Sequence, residues 1–480
     1  MQKPSIQYRF ISNVLKHRCY SSYSLPHIIQ PKPTLNSSNC RYSEKKTSTS
    51  AYWSLLEQDK RNDFTFNVES SKAAIHDATF MQRLLLQAVD RHTTPPDTQS
   101  ALISQCHDFF QLLDTPDQLL FLRHFSNSYH HQQSIVTFLH SLYQLPGGVK
   151  RIIDFRGSLL TLLRHYPCEH SILAPLESIL KSSIKVKLLS SDSQLSIGRI
   201  TWQSASPEVI EKLCRYEAVH AVSGLQDIKR RLAPDRRVYA LFAKGLPKEP
   251  LVFVHVALVS ELSNSIQTIL EPYNRSTNHN IHDSRYAICY SITTQQGLGG
   301  IHLGNYLIRR VVDQLQQTYS QIHTFATLSP IPGFRQWLNE QLSKDPSLWE
   351  QLVQAGGTTH WEQMIKDVPK DSPLATKLLH LCARYILDAK RPNNGSLDPV
   401  ANFHLRNGAC AHQLHWQGDV SDKGVNESFG IMINYNYIPS KLDDHHNQYI
   451  NHGTIFVSEP QSSPSRCLSD YIGRGAVLMD

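Results

Sequence analysis

Between residue 51 and about residue 187, apolar side chains recur at helical spacing. Phe109, Phe110, Leu112 and Leu113 form one stripe. Leu119, Leu120, Leu122 and Phe125 form the next, and Phe138, Leu139, Leu142 and Tyr143 a third. Stripes of this kind bury against one another, so residues 50–187 are predicted to form an all-helical bundle. A short polar run, Leu188-Leu189-Ser190-Ser191-Asp192-Ser193, is the expected linker. Past Ile200-Thr201-Trp202 the period shortens. Val238-Tyr239-Ala240-Leu241-Phe242 and the run 251–259 read as strands, and Lys244-Gly245-Leu246-Pro247 as the hairpin turn between them. Residues 341–395 return to helical spacing.

The most informative stretch is 286–338. Residues 286–292 are β-branched and aromatic and predict a buried strand. Gln295-Gln296-Gly297-Leu298-Gly299-Gly300 breaks it. Gly304, Leu307, Ile308, Val311, Val312 and Leu315 then predict an amphipathic helix. A strand that runs through glycines into a helix presents unpaired N–H groups at the positive end of the helix dipole, a natural anion site. The glycines serve equally well a tight turn and close helix packing. Neither a P-loop nor a dinucleotide fingerprint is present, since His302 stands where the latter needs a glycine. A second strand is predicted over 321–328. Ser329-Pro330 then has the signature of a helix N-cap followed by a first-turn proline, with the helix running through Phe334, Trp337 and Leu338. A capping serine at a strand's carboxyl end can also face a ligand.

Composition narrows the class. A chain of 480 residues predicts two domains, and 40 % hydrophobic content is enough for ordinary cores. No apolar run is long enough to span a bilayer, so no membrane insertion is expected. The formal charge is +7, but six basic residues lie within 1–43, which has no acid before Glu44, leaving +1 for the rest. Nucleic-acid binding is therefore not expected. The acid-free, serine-rich, arginine-containing segment 1–43 has the character of a mitochondrial transit leader, and Arg18-Cys19-Tyr20-Ser21 resembles a matrix-peptidase cleavage site. The chain ends Val477-Leu478-Met479-Asp480, which is not a peroxisomal tripeptide, so the matrix is the expected compartment. Nine scattered cysteines without a C-x-x-C pair argue against a zinc ribbon or a disulfide framework and leave an intersubunit disulfide open.

Several blocks, in order, resemble the malonyl-CoA decarboxylase family. They are Val219-His220, Lys229-Arg230-Arg231, the run 250–258, Gln295 through Gly304, Leu328-Ser329-Pro330-Ile331-Pro332-Gly333-Phe334, the run 403–409, and Gly430-Ile431-Met432-Ile433-Asn434-Tyr435-Asn436-Tyr437. The resemblance spans roughly 195–440. It implies a helical N-terminal oligomerisation domain (50–187), then a mixed-sheet catalytic domain of the GCN5-related N-acetyltransferase type (188–459), then a divergent tail (460–480). It implies a homodimer or homotetramer that takes malonyl-CoA to acetyl-CoA and CO2 with no cofactor and no metal. Family positions fall on Ser329 and His404 for catalysis and on Gly299, Gly300, Ile301, His302, Leu303, Gly304 and Asn305 for CoA. His302 stands where the family pattern has an acidic residue, a change expected to matter if that side chain tunes the catalytic pair.

The chemistry explains why two side chains can suffice. The thioester carbonyl is the substrate's own electron sink, so the protein has only to orient the carboxylate, stabilise an enolate and protonate carbon 2. Histidine, with an ordinary pKa near the working pH, suits proton donation by His404, and Ser329 is expected to orient the malonyl carboxylate or the thioester oxygen. No G-x-S-x-G elbow supports an acyl-serine. An acyl-CoA-dependent N-acyltransferase and an inactive CoA-binding protein are the alternatives on the same fold. Lys229-Arg230-Arg231 with Arg236-Arg237 suit either a CoA phosphate or a solvated face. Asp443, Asp444, His445, His446 and His452 lack metal-ligand spacing and read as a polar loop.

Overall fold

The computed structural model describes residues 74–90, 95–128, 132–190, 195–271, 281–459, 468–469 and 476–479. The transit-like segment 1–43 and most of the tail lie outside the described residues. The predicted stripes become helices α1 (Ala78–Val89), α2 (Pro96–Leu112), α3 (Thr115–Ser128), α4 (Gln132–Gln144), α5 (Gly148–His165) and α6 (His170–Leu189). Phe110 meets Phe121 tilted and Phe155 edge-on, and Phe125 meets Phe155 edge-on and stacks on Phe121. The run read as a linker begins inside α6, whose last turn buries Leu188.

A mixed sheet follows. Its strands are β1 (Leu195–Ile200), β2 (Arg236–Ala243), β3 (Val252–Val259), β4 (Tyr286–Thr294), β5 (Thr324–Thr327), β6 (Ser329–Pro330), β7 (Cys410–His415), β8 (Met432–Tyr437), β9 (Ile455–Val457) and β10 (Ala476–Leu478). The order is β1-β2-β3-β4-β5-β8-β7-β9-β10, with β6 pairing β8. β1 to β4 are antiparallel, and the predicted turn after Ala243 does join β2 to β3. β4 and β5 are parallel, joined by α10 (Leu303–Thr318); between β1 and β4 the chain also forms α7 (Pro207–Tyr216), α8 (Leu225–Arg231) and α9 (Ile266–Leu270). This is the expected order of a helical N-terminal region followed by a mixed sheet.

Two irregularities in the sheet make room for a site. The β3–β4 register slips between His255 and Val256, leaving Tyr290 as a bulge. The β4–β5 ladder pairs Tyr286 through Cys289 and stops there. From Tyr290 to Thr294, β4 has no β5 partner, and the sheet splays open.

α10 is amphipathic as predicted, burying Leu303, Leu307, Ile308, Val311, Val312 and Leu315. Each such burial contributes roughly 1.5–3 kcal/mol, so this face fixes the helix against the sheet and fixes where its N-terminus points. The helical spacing over 341–395 corresponds to α11 (Phe334–Lys344), α12 (Pro346–Gly356) and α13 (Pro373–Leu387). α14 (Pro399–Arg406), α15 (Asp422–Ser428) and α16 (Leu442–His452) complete the chain. α16 replaces the expected polar loop. Helical spacing explains it, with Leu442, His445 and Tyr449 buried on one face. The helical layer and the sheet share one hydrophobic cluster.

Candidate active site

Ser329 does not cap a helix. It lies in β6, where Ser329 pairs with Ile433 of β8, and α11 starts only at Phe334 after Gly333. Strand pairing with a distant segment outcompetes the local capping option that Ser-Pro offers. Gly333 is required at the bend, since a Cβ there would lie 2.2 Å from the Tyr385 hydroxyl. His404 is carried by α14, whose start is set by Asp398. That side chain accepts from Val400 N (2.9 Å) and Ala401 N (2.8 Å), with Pro399 in the first turn. Burial pushes the Asp398 carboxyl up to about 6.

These two elements bring Ser329 Oγ within 3.1 Å of His404 Nε2. The Ser329 hydroxyl donates to Thr327 Oγ1 at 2.9 Å, and Thr327 Oγ1 also accepts from Tyr435 N at 3.0 Å. With its hydrogen committed to Thr327, Ser329 accepts from His404, so the ring carries its proton on Nε2. Nδ1 then accepts from the Tyr437 hydroxyl at 2.7 Å. Tyr435 stacks on the imidazole with ring centres 4.8 Å apart, and Phe403 meets it edge-on at 5.1 Å. His404 is 4 % exposed. Burial lowers its pKa to about 3, and no opposing charge restores it. The expected match between this histidine's pKa and the working pH is therefore absent; the imidazole is neutral.

The pair faces a cavity of about 240 Å³ in the splay between β4 and β6. Its walls include Tyr290, Ile292, Pro330, Val400 and Phe403, so it is largely apolar. A second, outer cavity of about 530 Å³ shares Thr294, Pro399 and Phe403 with the first. Its floor is the glycine turn. Gly299, Gly300, His302, Leu303, Gly304 and Asn305 line it, whereas Ile301 turns into the core. Gly300 and His302 are left-handed, at φ of 75° and 64°. A Cβ on Gly304 would lie 2.9 Å from the Phe403 ring, so that glycine permits the ring to sit between the two cavities.

Lys181 and Arg406 also line the outer cavity. Burial, then Arg406, Lys181 and Lys185, hold His302 below its ordinary pKa. His302 thus belongs to the outer cavity and does not line the one that holds Ser329 and His404. The arginine clusters suggested by the sequence are used elsewhere. Arg230 pairs with Asp235, Arg231 with Asp227, and Arg236 with Asp235 and Ile269 O; Lys229 lies over Trp202. The acid–histidine cluster is divided, with His445 buried and Asp443, Asp444 and His452 exposed. His445 stacks on Phe456 at 4.1 Å, and Asp443 pairs with Arg309.

The malonyl-CoA decarboxylase C-terminal domain model matches residues 193–465, which holds the elements around both cavities apart from α6, whose Lys181 lines the outer one. The chain belongs to the malonyl-CoA decarboxylase family. Mitochondrial malonyl-CoA decarboxylase of Anser anser anser is 35 % identical over 342 residues, 66 % of this chain and 66 % of that protein. The Mus musculus protein of the same name is 35 % identical over 341 residues, 67 % of this chain and 68 % of the relative. The chain thus matches about two thirds of the length of these relatives. Among solved structures, malonyl-CoA decarboxylase from Rhodopseudomonas palustris superposes with a TM-score of 0.67 at 28 % identity, covering 79 % of this chain and 98 % of that one. The Cupriavidus metallidurans decarboxylase gives 0.63 at 28 % identity, covering 82 % and 99 %.

Sequence reasoning missed Thr327, the roles of Tyr435 and Tyr437, and the contributions of Lys181 and Arg406. One local signal existed for the tyrosines: at i and i+2 on a strand they share a face.

Proposed function

We propose that this protein decarboxylates malonyl-CoA to acetyl-CoA and CO2, using Ser329 and His404 and no prosthetic group. The observation that carries the reading is the 3.1 Å Ser329–His404 contact at the base of an apolar cavity that opens onto a glycine-floored, cation-lined one. The outer cavity suits the CoA phosphates, with backbone N–H groups at the α10 N-terminus and Lys181 and Arg406 as countercharges. The inner cavity suits the malonyl group.

As the carboxylate enters the apolar space, the Ser329 hydroxyl turns its hydrogen from Thr327 to the carboxylate, and the His404 Nε2–H is released from Ser329. As the C–C bond breaks, its electron pair moves into the thioester, the anionic charge leaves the carboxylate, and neutral CO2 departs. His404 donates from Nε2–H to the developing enolate oxygen. A neutral imidazole is a competent donor to such an oxygen, and one well-aimed donor contributes about 3–4 kcal/mol. Carbon 2 then takes a proton through His404, and solvent replaces it, so one proton is consumed per turnover. Each step uses the thioester as electron sink, so no other is needed.

The relatives' names support a mitochondrial location, as does the acid-free leader. Exposed Val136, Val186 and Leu189 on α4 and α6 support self-association through the helical region, as a homodimer or homotetramer. The test is incubation of the purified protein with malonyl-CoA alone. Acetyl-CoA and CO2 are expected in equal amounts without an amine acceptor. Product that appears only with an amine would make the protein an N-acyltransferase, and binding of CoA without turnover would make it an inactive relative.

A further inference from the structure

Arg156 is 2 % exposed, yet it lies in the helical layer, outside the matched family domain. Its partners explain its burial. Nε and Nη2 bond Glu177 of α6 at 3.2 and 2.5 Å. Nη1 donates to Gly297 O at 2.6 Å and Nη2 to Gly299 O at 3.0 Å. A buried guanidinium is thus fixed by a carboxylate behind it and spends its remaining donors on two carbonyls of the glycine turn.

The rest of that α5 face fits the same turn. Ile153, Arg156, Gly157 and Thr161 share one side of the helix. A Cβ on Gly297 would lie 1.8 Å from Ile153 O, and one on Gly157 would lie 3.4 Å from Gly297 N. Thr161 Oγ1 accepts from the Gln296 side chain. Backbone therefore touches backbone here, and Arg156 sits where the two chains meet.

The peptide plane gives this contact a consequence. In a trans peptide the carbonyl and the following N–H point in opposite directions. Arg156 draws the Gly299 carbonyl toward itself, so the Gly300 N–H points away from the guanidinium, and Gly300 lines the outer cavity. That N–H donates to no acceptor among the described residues. The left-handed Gly300 then leads into the first N–H groups of α10.

We infer that Arg156 is a positioning residue for the phosphate-binding turn: anchored by Glu177, it orients the Gly299–Gly300 peptide so that its N–H meets a CoA phosphate oxygen. This rests on the reading that the outer cavity takes the CoA phosphates. It gives α5 a part in substrate binding beside that of α6, whose Lys181 lines the same cavity.

The experiment compares malonyl-CoA with malonyl-pantetheine, which keeps the reacting group and lacks every phosphate. Wild-type enzyme should show a much higher KM for malonyl-pantetheine. Equal KM values would remove the underlying phosphate reading, and with it this one. Arg156→Met keeps the bulk and removes the donors. For malonyl-CoA its KM should rise about tenfold with kcat within roughly threefold of wild type, the scale of losing one charge-assisted hydrogen bond. Its kcat/KM for malonyl-pantetheine should be unchanged. Equal losses on both substrates would mean a merely structural role and overturn the inference, as would a wild-type KM for malonyl-CoA. Should Arg156→Met fail to fold, Arg156→Lys decides. Lysine keeps the ion pair with Glu177 but cannot bridge both carbonyls, so KM for malonyl-CoA should rise and malonyl-pantetheine turnover should not change. A lysine variant with wild-type KM, or with equal losses on both substrates, contradicts the assignment.

Discussion

His404 sits between Tyr437 and Ser329 with aromatic rings packed on it, and that enclosure decides its proton. Burial lowers its pKa to about 3 from an ordinary 6.5. Between those values the unfolded chain binds a proton that the folded protein excludes. His404 therefore costs no stability above pH 6.5 and destabilises the fold progressively as pH falls from there toward 3. The catalytic consequence follows from the same sign. On the proposed reading the ring is neutral and C–C cleavage precedes protonation, so His404 should add no limb to the pH dependence of kcat/KM between about pH 5 and 8, where the α14 cap Asp398, held up at about 6, is a group that does titrate. A pH–rate limb with an apparent pKa near 6.5 that persists in Asp398→Asn would mean that His404 titrates at its ordinary value and that the neutral-donor account is wrong. Nothing in the sequence exposed this protonation state, because the groups that enclose the ring come from β6, α14 and β8. The residue type was legible at position 404 only through the ordered family blocks.

Strand–glycine–helix is the element that the sequence displayed best. The periodicity of Leu307, Ile308, Val311 and Leu315 was enough to place α10, and the glycines enough to place its turn. Ser329 shows where local reading stops. Ser-Pro is a good helix start, and only pairing with Ile433, over a hundred residues onward, converts it into strand. The glycines also had two candidate roles, and both are in use at different positions. Gly297 allows backbone contact with α5, Gly300 lines the outer cavity at positive φ, and Gly304 accommodates Phe403. A Gly304→Ala variant should push the Phe403 ring off its place at the junction of the cavities. Its kcat/KM should fall by about tenfold or more, the usual cost of a small misplacement near reacting groups. Wild-type kinetics in that variant would show that Phe403 has free room and does not position the imidazole.

At the scale of the whole molecule, a hydrophobic cluster runs from the helical layer into the sheet, and the glycine turn lies at their junction. Arg156 reaches Gly297 across 141 residues of sequence, a partnership that no local pattern encodes. The splay of β4 from β5 opens the inner cavity, the α5 face supports the outer one, and Phe403 stands between them. On the proposed reading, the architecture separates holding the CoA from breaking the C–C bond. That separation makes the central claim testable with two single substitutions. Turnover of malonyl-CoA and affinity for CoA should be measured together for Ser329→Ala and His404→Ala. Each variant should lose about 10²–10⁴ in kcat while binding CoA within a few-fold of wild type. Wild-type turnover in either variant would contradict the assignment of decarboxylation to this pair.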